Sequence, residues 1–250
     1  MMFDTLLNHR TIRRYTGDPI PDEILSYILE AGTRASTTGN MQVYSIIVTT
    51  EKEIKEALSP CHFNQPMVME APVVLTFCAD FNRFSKWCRY RRAEPGYDNF
   101  LSFFTAAIDA LLVAQNVCIA AEDAGLGICY LGTTTYMAGK IIEVLRLPAG
   151  VVPVTTVTVG YPNEQPGLTD RLPLEAVIHR ERYTDYSETD INTYYGEKEL
   201  IKIYQEFIKE HQKETLAQVF TDVRYKKEDN ILFSKSLLQI IKQQGFMNHP

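Results

Sequence analysis

The sequence predicts a mixed α+β fold, with one sheet-and-helix domain followed by a helical C-terminal extension. Three observations point there. Apolar, β-branched runs of strand length occur at 43–49, 72–79 and 151–160. Helix-period segments separate them, the longest covering 100–124. Beyond Pro162 the character changes to a proline- and glycine-bearing stretch, and from Tyr183 onward the chain is rich in Lys, Glu, Gln and Tyr.

Pro19, Pro21, Asp22 and Glu23 stand where a helix begins, and Ile24, Leu25, Ile28 and Leu29 then recur at helical spacing, predicting a helix to about Ala35. Ser36-Thr37-Thr38-Gly39-Asn40 is small and polar and reads as a loop carrying three hydroxyls in a row. A strand at 43–49, a short helix at 52–58 and a fully buried strand at 72–79 follow. The helix at 100–124 is apolar on nearly every side, which predicts burial all round, in the middle of a fold or at a subunit interface. Gly125-Leu126-Gly127 ends it, and a strand at 128–132, a helix at 137–145 and a strand at 151–160 complete the core. Helical periodicity returns at 200–208 and 231–241. The expected division is a core at 1–183 and an extension at 184–250, too thin in apolar residues to stand alone and so wrapped on the core or on a neighbouring subunit.

With 250 residues, 45% apolar and 22% charged, the chain can bury a substantial core. A net charge of -6 excludes a nucleic-acid groove over the whole surface and leaves room for a local basic pocket. The first eight residues lack the apolar stretch of a secretory signal, and Asp109, Gln115 and Asn116 would be expensive in lipid, so neither export nor a membrane span is expected. A cytoplasmic location follows. The five cysteines show no zinc-site spacing and read as reduced thiols filling core space, with no metal.

His9-Arg10-Thr11-Ile12-Arg13 concentrates two guanidiniums, an imidazole and a hydroxyl in five residues. Arginine meets phosphate oxygens bidentately and stays charged at any working pH, so the segment suits a phosphorylated ligand; a solvated basic turn is the rival reading. Asp109 and Glu122 lie thirteen residues apart on the long helix with no visible partner, which favours buried hydrogen-bonded roles over acid catalysis. His62, His179 and His211 read as structural. The sequence has no Ser-His-Asp arrangement, nucleophile elbow or P-loop string.

Four segments, HRTIRRYTGDPIPDEIL, RASTTGNMQ, AEDAGLGICYLG and VTVGYPNEQPGLTDRLPLEAVIHRERY, resemble the nitroreductase family of FMN enzymes, in its order and spacing across 6–183. Within it they look most like the oxygen-insensitive, NADPH-linked nitroreductase and flavin reductase group. The resemblance implies a nitroreductase-like fold, a central, mainly antiparallel sheet flanked by helices, in a homodimer with FMN at the subunit interface. It places His9, Arg10 and Arg171 near the flavin phosphate, Thr11 as a hydroxyl partner, and Arg13 at the pyrimidine edge as electrostatic support for the reduced ring. Thr37 and Thr38 match a hydroxyl loop, Gln65 a glutamine that reaches the flavin from the neighbouring subunit, and Tyr130, Leu131 and Gly132 the strand end beside the ring. No side chain is implied as a covalent or acid–base catalyst.

Two positions depart from the group. Thr133 stands where a second glycine is usual, and Thr169 where a lysine is common. The implied activity is an NAD(P)H-dependent, ping-pong hydride transfer, with NADPH or NADH as donor and nitroaromatics, quinones or flavins as small-molecule acceptors. A flavin reductase supplying reduced FMN to a partner and a non-catalytic flavin-binding protein are the alternatives. Arg224, Lys226 and Lys227 form a basic patch that reads either as a solvated helix flank or as a contact for a nucleotide 2'-phosphate.

Overall fold

Strand β2 (Val73–Asp80) is buried at all eight positions and sits between β1 (Tyr44–Thr49) and β4 (Val151–Gly160), with β3 (Gly127–Leu131) on the far edge of β4. The computed structural model describes residues 2–249, and among these the sheet order is β1-β2-β4-β3 with every pair antiparallel. Pro153 lies inside β4 without an N–H to give the ladder, and the register of β2 with β4 shifts between Phe77 and Cys78, where Val154 is passed over. A bulge beside a proline is the expected accommodation.

Helices cover both faces of the sheet, which explains why β2 reads as a continuous apolar run. Val73, Leu75 and Phe77 of β2 enter one cluster with Ile28, Val113 and Val117, while Val74 points the other way into a second cluster with Leu58, Val68 and Ile141. The first face carries α2 (Asp22–Thr33) and α6 (Phe100–Asp123); the second carries α3 (Lys52–Leu58), α4 (Met67–Glu70) and α7 (Ala138–Leu145). Helices α1 (Met2–Leu7) and α5 (Asn82–Tyr90) complete the order of this part. The five cysteines are free and buried, and burial pushes the Cys78 and Cys118 thiols up to about 12.

Helix α6 starts where the Asn99 side chain accepts the Ser102 N–H at 3.0 Å. It ends where Gly125, at φ +80°, lets the Leu126 N–H return to the Ala121 carbonyl at 2.9 Å. By length and composition it could cross a bilayer, yet here it packs against α2 and the sheet and buries Asp109. The all-round burial expected of it is not found. One face is buried, whereas Leu101, Phe104, Ile108, Leu111 and Leu112 are exposed.

The chain forms two compact units, 1–167 with 233–250, and 168–232. The region expected as a single extension from residue 184 is therefore divided. Its last part belongs to the first unit: Ile241 and Phe246 fill a third core cluster, and the Gly150 N–H donates to the Gln244 carbonyl at 2.9 Å. The second unit holds α8 (Glu188–Leu200), α9 (Lys202–Glu210) and α10 (Leu216–Val219); α11 (Lys227–Gln243) starts in it and belongs to the first unit from Phe233. A reciprocal Ser187–Asp190 cap opens α8, and Asp170 accepts from Lys198 Nζ and Tyr204 Oη, both at 2.6 Å.

Gly32 is where α2 touches α6, since a Cβ there would stand 2.4 Å from Val117 Cγ2. Gly32→Ala should cost about 1–3 kcal/mol by overpacking, against about 1 kcal/mol gained in helix propensity. Chemical unfolding should show a lowered midpoint, largely restored when Val117→Ala is added.

Candidate functional site

The segment 9–13 lies along the free edge of β3. Thr11 bridges Ile128 in parallel, and the Ile12 N–H donates to the Ile128 carbonyl at 2.9 Å. Ile12 is buried there, and a Cβ on Gly127 would come within 2.6 Å of its Cγ1, so only glycine admits the segment at this depth. Burying Ile12 is worth about 1.5–3 kcal/mol and one backbone hydrogen bond about 1, so packing holds the seam more firmly than pairing does. Tyr15 closes it, donating to the Ile12 carbonyl and sharing a hydrogen bond with Thr158 Oγ1, both at 2.8 Å; burial raises its pKa, keeping the hydroxyl a donor.

The three cationic side chains of this segment and the adjoining Arg14 have different fates. Arg14 pairs with Glu70 at 2.5 Å. His9 Nδ1 lies 2.7 Å from Glu122 Oε1, and because a carboxylate only accepts, that nitrogen carries the proton and Nε2 remains for another partner. Arg10 and Arg13 have no carboxylate within ion-pair distance among the described residues. Arg10 gives Nη1 to the Asn8 carbonyl at 3.1 Å, while its Nε is buried without an acceptor. It lines a cavity of about 460 Å3 with Asn8, Glu122, Gly127 and Glu164. Both carboxylates are already engaged: Glu122 by His9, and Glu164 by the N–H groups of Arg13 and Arg14 at 2.5 and 3.1 Å. An unanswered guanidinium in such a place fits an incoming anion.

At the C-terminal end of β3, Tyr130 Oη donates to Gln115 Oε1 at 3.4 Å, and burial raises its pKa. Leu131 is buried, and Gly132 is exposed with open space where a Cβ would stand. Alternate residues of an edge strand turn their amides outward. Ile128 turns its carbonyl to Ile12, so Tyr130 and Gly132 present their backbone to the same free edge. Thr133 is anchored by His62, whose Nδ1 lies 2.8 Å from its Oγ1. Gln65 in turn gives its backbone N–H and Nε2 to the His62 carbonyl, at 3.1 and 3.0 Å. Gln65 is thus only one residue removed from the Gly132 turn of its own protomer, whereas the resemblance assigned it to the neighbouring subunit's flavin.

Thr37 and Thr38 lie elsewhere. Asp109 Oδ1 accepts the Thr38 N–H and hydroxyl at 3.0 and 3.2 Å. Glu122, which holds His9, is thirteen residues further along α6. That separation advances about 20 Å and turns the two side chains about 140° apart around the axis. Residues 9–13 thus lie along the strand that leads to Tyr130, Leu131 and Gly132, Gln65 is joined to that turn through His62, and the hydroxyl loop is held at Asp109. Arg171 belongs to the second unit, where Nη1 donates to the Thr169 and Asp170 carbonyls at 3.3 and 2.9 Å. In the same unit Arg224 lies over the Phe207 ring, 4.4 Å from its centroid, so it is not simply solvated.

Sequence reading missed the tie between His62 and Thr133, because the two are 71 residues apart and no local spacing announces it. It also left Asp109 and Glu122 without partners, which the structure supplies as Thr38 and His9.

A family model described as the nitroreductase family matches residues 6–161. The chain is 34% identical over 248 residues to an NADPH-linked FMN reductase of Bacillus subtilis, covering 97% of each. It is also 34% identical over 185 residues to an oxygen-insensitive NADPH nitroreductase of Salmonella typhimurium, covering 74% of this chain and 75% of that one. Among solved structures, a Bacteroides fragilis protein provisionally described as an oxidoreductase superposes with TM-score 0.97 at 59% identity, covering 98% of this chain and 100% of that one. A B. subtilis nitroreductase gives TM-score 0.87 at 30% identity with full coverage of both, 100% each.

Gly127→Ala should push Ile12 off the β3 edge, and hydrogen exchange should show lost protection at the Ile12 N–H. A second expectation concerns acid. Burial lowers the His62 pKa from 6.5 to about 4, so between those values the folded state binds fewer protons than the unfolded chain. The stability that the neutral ring contributes is complete above the unfolded value and is lost as pH falls toward 4, at about 1.4 kcal/mol per pH unit. Unfolding midpoints measured across this window should show that slope, and His62→Asn should flatten it.

Proposed function

The chain belongs to the nitroreductase family, and on that premise we propose that it binds FMN and transfers hydride from NADPH or NADH to nitroaromatics, quinones or flavins in a ping-pong cycle. The observation that carries this reading is the pair of unpaired guanidiniums, Arg10 and Arg13, on a segment fastened to the β3 edge that ends at the open Gly132 turn. The residues present fit the group. The buried Nε of Arg10 lacks an acceptor that a phosphate oxygen would supply, and the space at Gly132 fits a flat ring lying close to backbone. When bound, FMN supplies the hydride chemistry; the protein supplies position and field.

In this reading Arg10 and His9 hold the phosphate, and Glu122 orients His9 so that Nε2 faces it. Thr11 offers its hydroxyl to the ribityl chain. Arg13 places positive charge at the pyrimidine edge, where negative charge grows on reduction. Tyr130, Leu131 and Gly132 line the ring edge, with Gln65 beside them.

In this reading Thr37 and Thr38 serve the same flavin from a second copy, because within one protomer they sit at Asp109, thirteen residues along α6 from the Glu122 that holds His9. The exposed stripe Leu101, Phe104, Ile108, Leu111 and Leu112 shares a helix face with Gln115 and Glu122, and supports a homodimer closed over that face. Cytoplasmic location belongs to the same reading.

Purified protein should be yellow, and anaerobic NADPH or NADH should bleach it; material that stays colourless after soaking in FMN would overturn the reading. Arg10→Ala and Arg13→Ala should each weaken FMN binding about tenfold or more in a fluorescence titration, as expected for a lost charge-assisted hydrogen bond. Arg10→Lys should recover only part. Flavin retained through gel filtration marks a nitro- or quinone reductase, and flavin lost but turned over as a substrate marks a flavin reductase. Light scattering should give the mass of two chains.

A further inference from the structure

His62 has no part in the reading above, yet its environment is unusual for a residue that merely fills space. It is fully buried, one ring nitrogen bonds Thr133, and the other, Nε2, is buried with no partner among the described residues. An unpaired buried polar atom carries an unrecovered desolvation cost, which an apolar side chain of similar size would avoid.

The turn that His62 holds has one open member. The Leu131 carbonyl accepts the Thr134 N–H and hydroxyl at 3.3 and 2.9 Å, and the Thr133 carbonyl accepts the Met137 N–H at 3.1 Å. Thr133 Oγ1 is taken by His62. Between these anchored residues, Gly132 is exposed, and no protein partner is found for its backbone groups among the described residues. On the other side of His62, the chain turns through two consecutive left-handed residues, Phe63 at φ 56° and Asn64 at φ 55°, before its carbonyl receives both donors of Gln65. Left-handed non-glycine residues are strained and persist only where the surroundings hold them.

We propose that His62 is a positioning residue of the flavin site: through Thr133 its ring sets the direction of the Gly132 peptide, and through its carbonyl it sets the Gln65 side chain, so that both reach the ring edge together. This rests on the FMN reading. It also gives Thr133 a use. The threonine that stands where the resembling group has a second glycine supplies the hydroxyl that ties the turn to the core.

FMN titration and the visible spectrum of the bound flavin test the proposal in the holoenzyme, with thermal melting as a check on folding. Thr133→Val and His62→Leu should each weaken FMN binding about tenfold and shift the shape of the flavin band, as misplaced supporting contacts do. Thr133→Ser, which keeps the hydroxyl, and His62→Asn, which keeps a polar atom near the place of Nδ1, should stay close to the parent. The double variant should bind no more weakly than the worse single one, because both act through one contact. Should His62→Leu fail to fold, Thr133→Val alone decides. Wild-type affinity and band shape in Thr133→Val, or losses that add in full, would overturn the role of His62 while leaving the FMN reading intact. A parent protein that binds no FMN would overturn both.

Discussion

The seam between the 9–13 segment and the β3 edge is the constraint on which the site depends. Without it, two arginines and a histidine are a basic stretch of chain near a terminus. With it, Ile12 is locked into the core and its neighbours must project from a fixed strand edge. The side chain carries more of that energy than the hydrogen bond, so the seam's tolerance is set by volume. That is why the absence of a Cβ at Gly127 matters more than the chemistry of any residue that pairs there.

Helix α6 organises the rest in two ways. It is the scaffold against which α2 and the sheet bury their apolar faces, and it presents polar anchors at intervals: Asp109 to Thr38, Gln115 to Tyr130 and Glu122 to His9. These anchors do not share a side of the helix. Asp109 faces the α2 end, while Gln115 and Glu122 share a face with the exposed apolar residues. One helix thus anchors the hydroxyl loop and the cationic segment at separate points along its length, and leaves one apolar face exposed.

Acid, redox and nucleophilic chemistry by side chains plays little part in this arrangement. The Cys78 and Cys118 thiols and the phenols of Tyr15 and Tyr130 are held in their neutral forms by burial, and His62 is kept uncharged. What remains available at the site is fixed positive charge and oriented backbone. A protein that supplies those two things is matched to a cofactor that carries its own reactivity.

The sequence by itself determined the element types of the sheet unit and the identity of the cationic segment. β-Branched runs, the Gly125-Leu126-Gly127 stop and helical spacing are local signals, and the elements they place between residues 22 and 160 fall within a residue or two of the observed bounds, whereas α1, α4 and α5 were not read from the sequence. The resemblance carried by the four motifs extended this to the fold, and to an expected set of flavin-contacting residues. Tertiary structure alone decided which charges are answered. Arg14 and Arg13 are chemically alike and adjacent, yet Glu70 reaches one and not the other. It also decided that α6 is covered on one face only, and that the chain beyond residue 167 forms a unit of its own before the last helix returns to the first. His62 and Thr133 meet across 71 residues, and Asp109 and Thr38 across the same separation. Pairings of that kind depend on how packed elements bring distant side chains within 3 Å, and no periodicity along the chain encodes them.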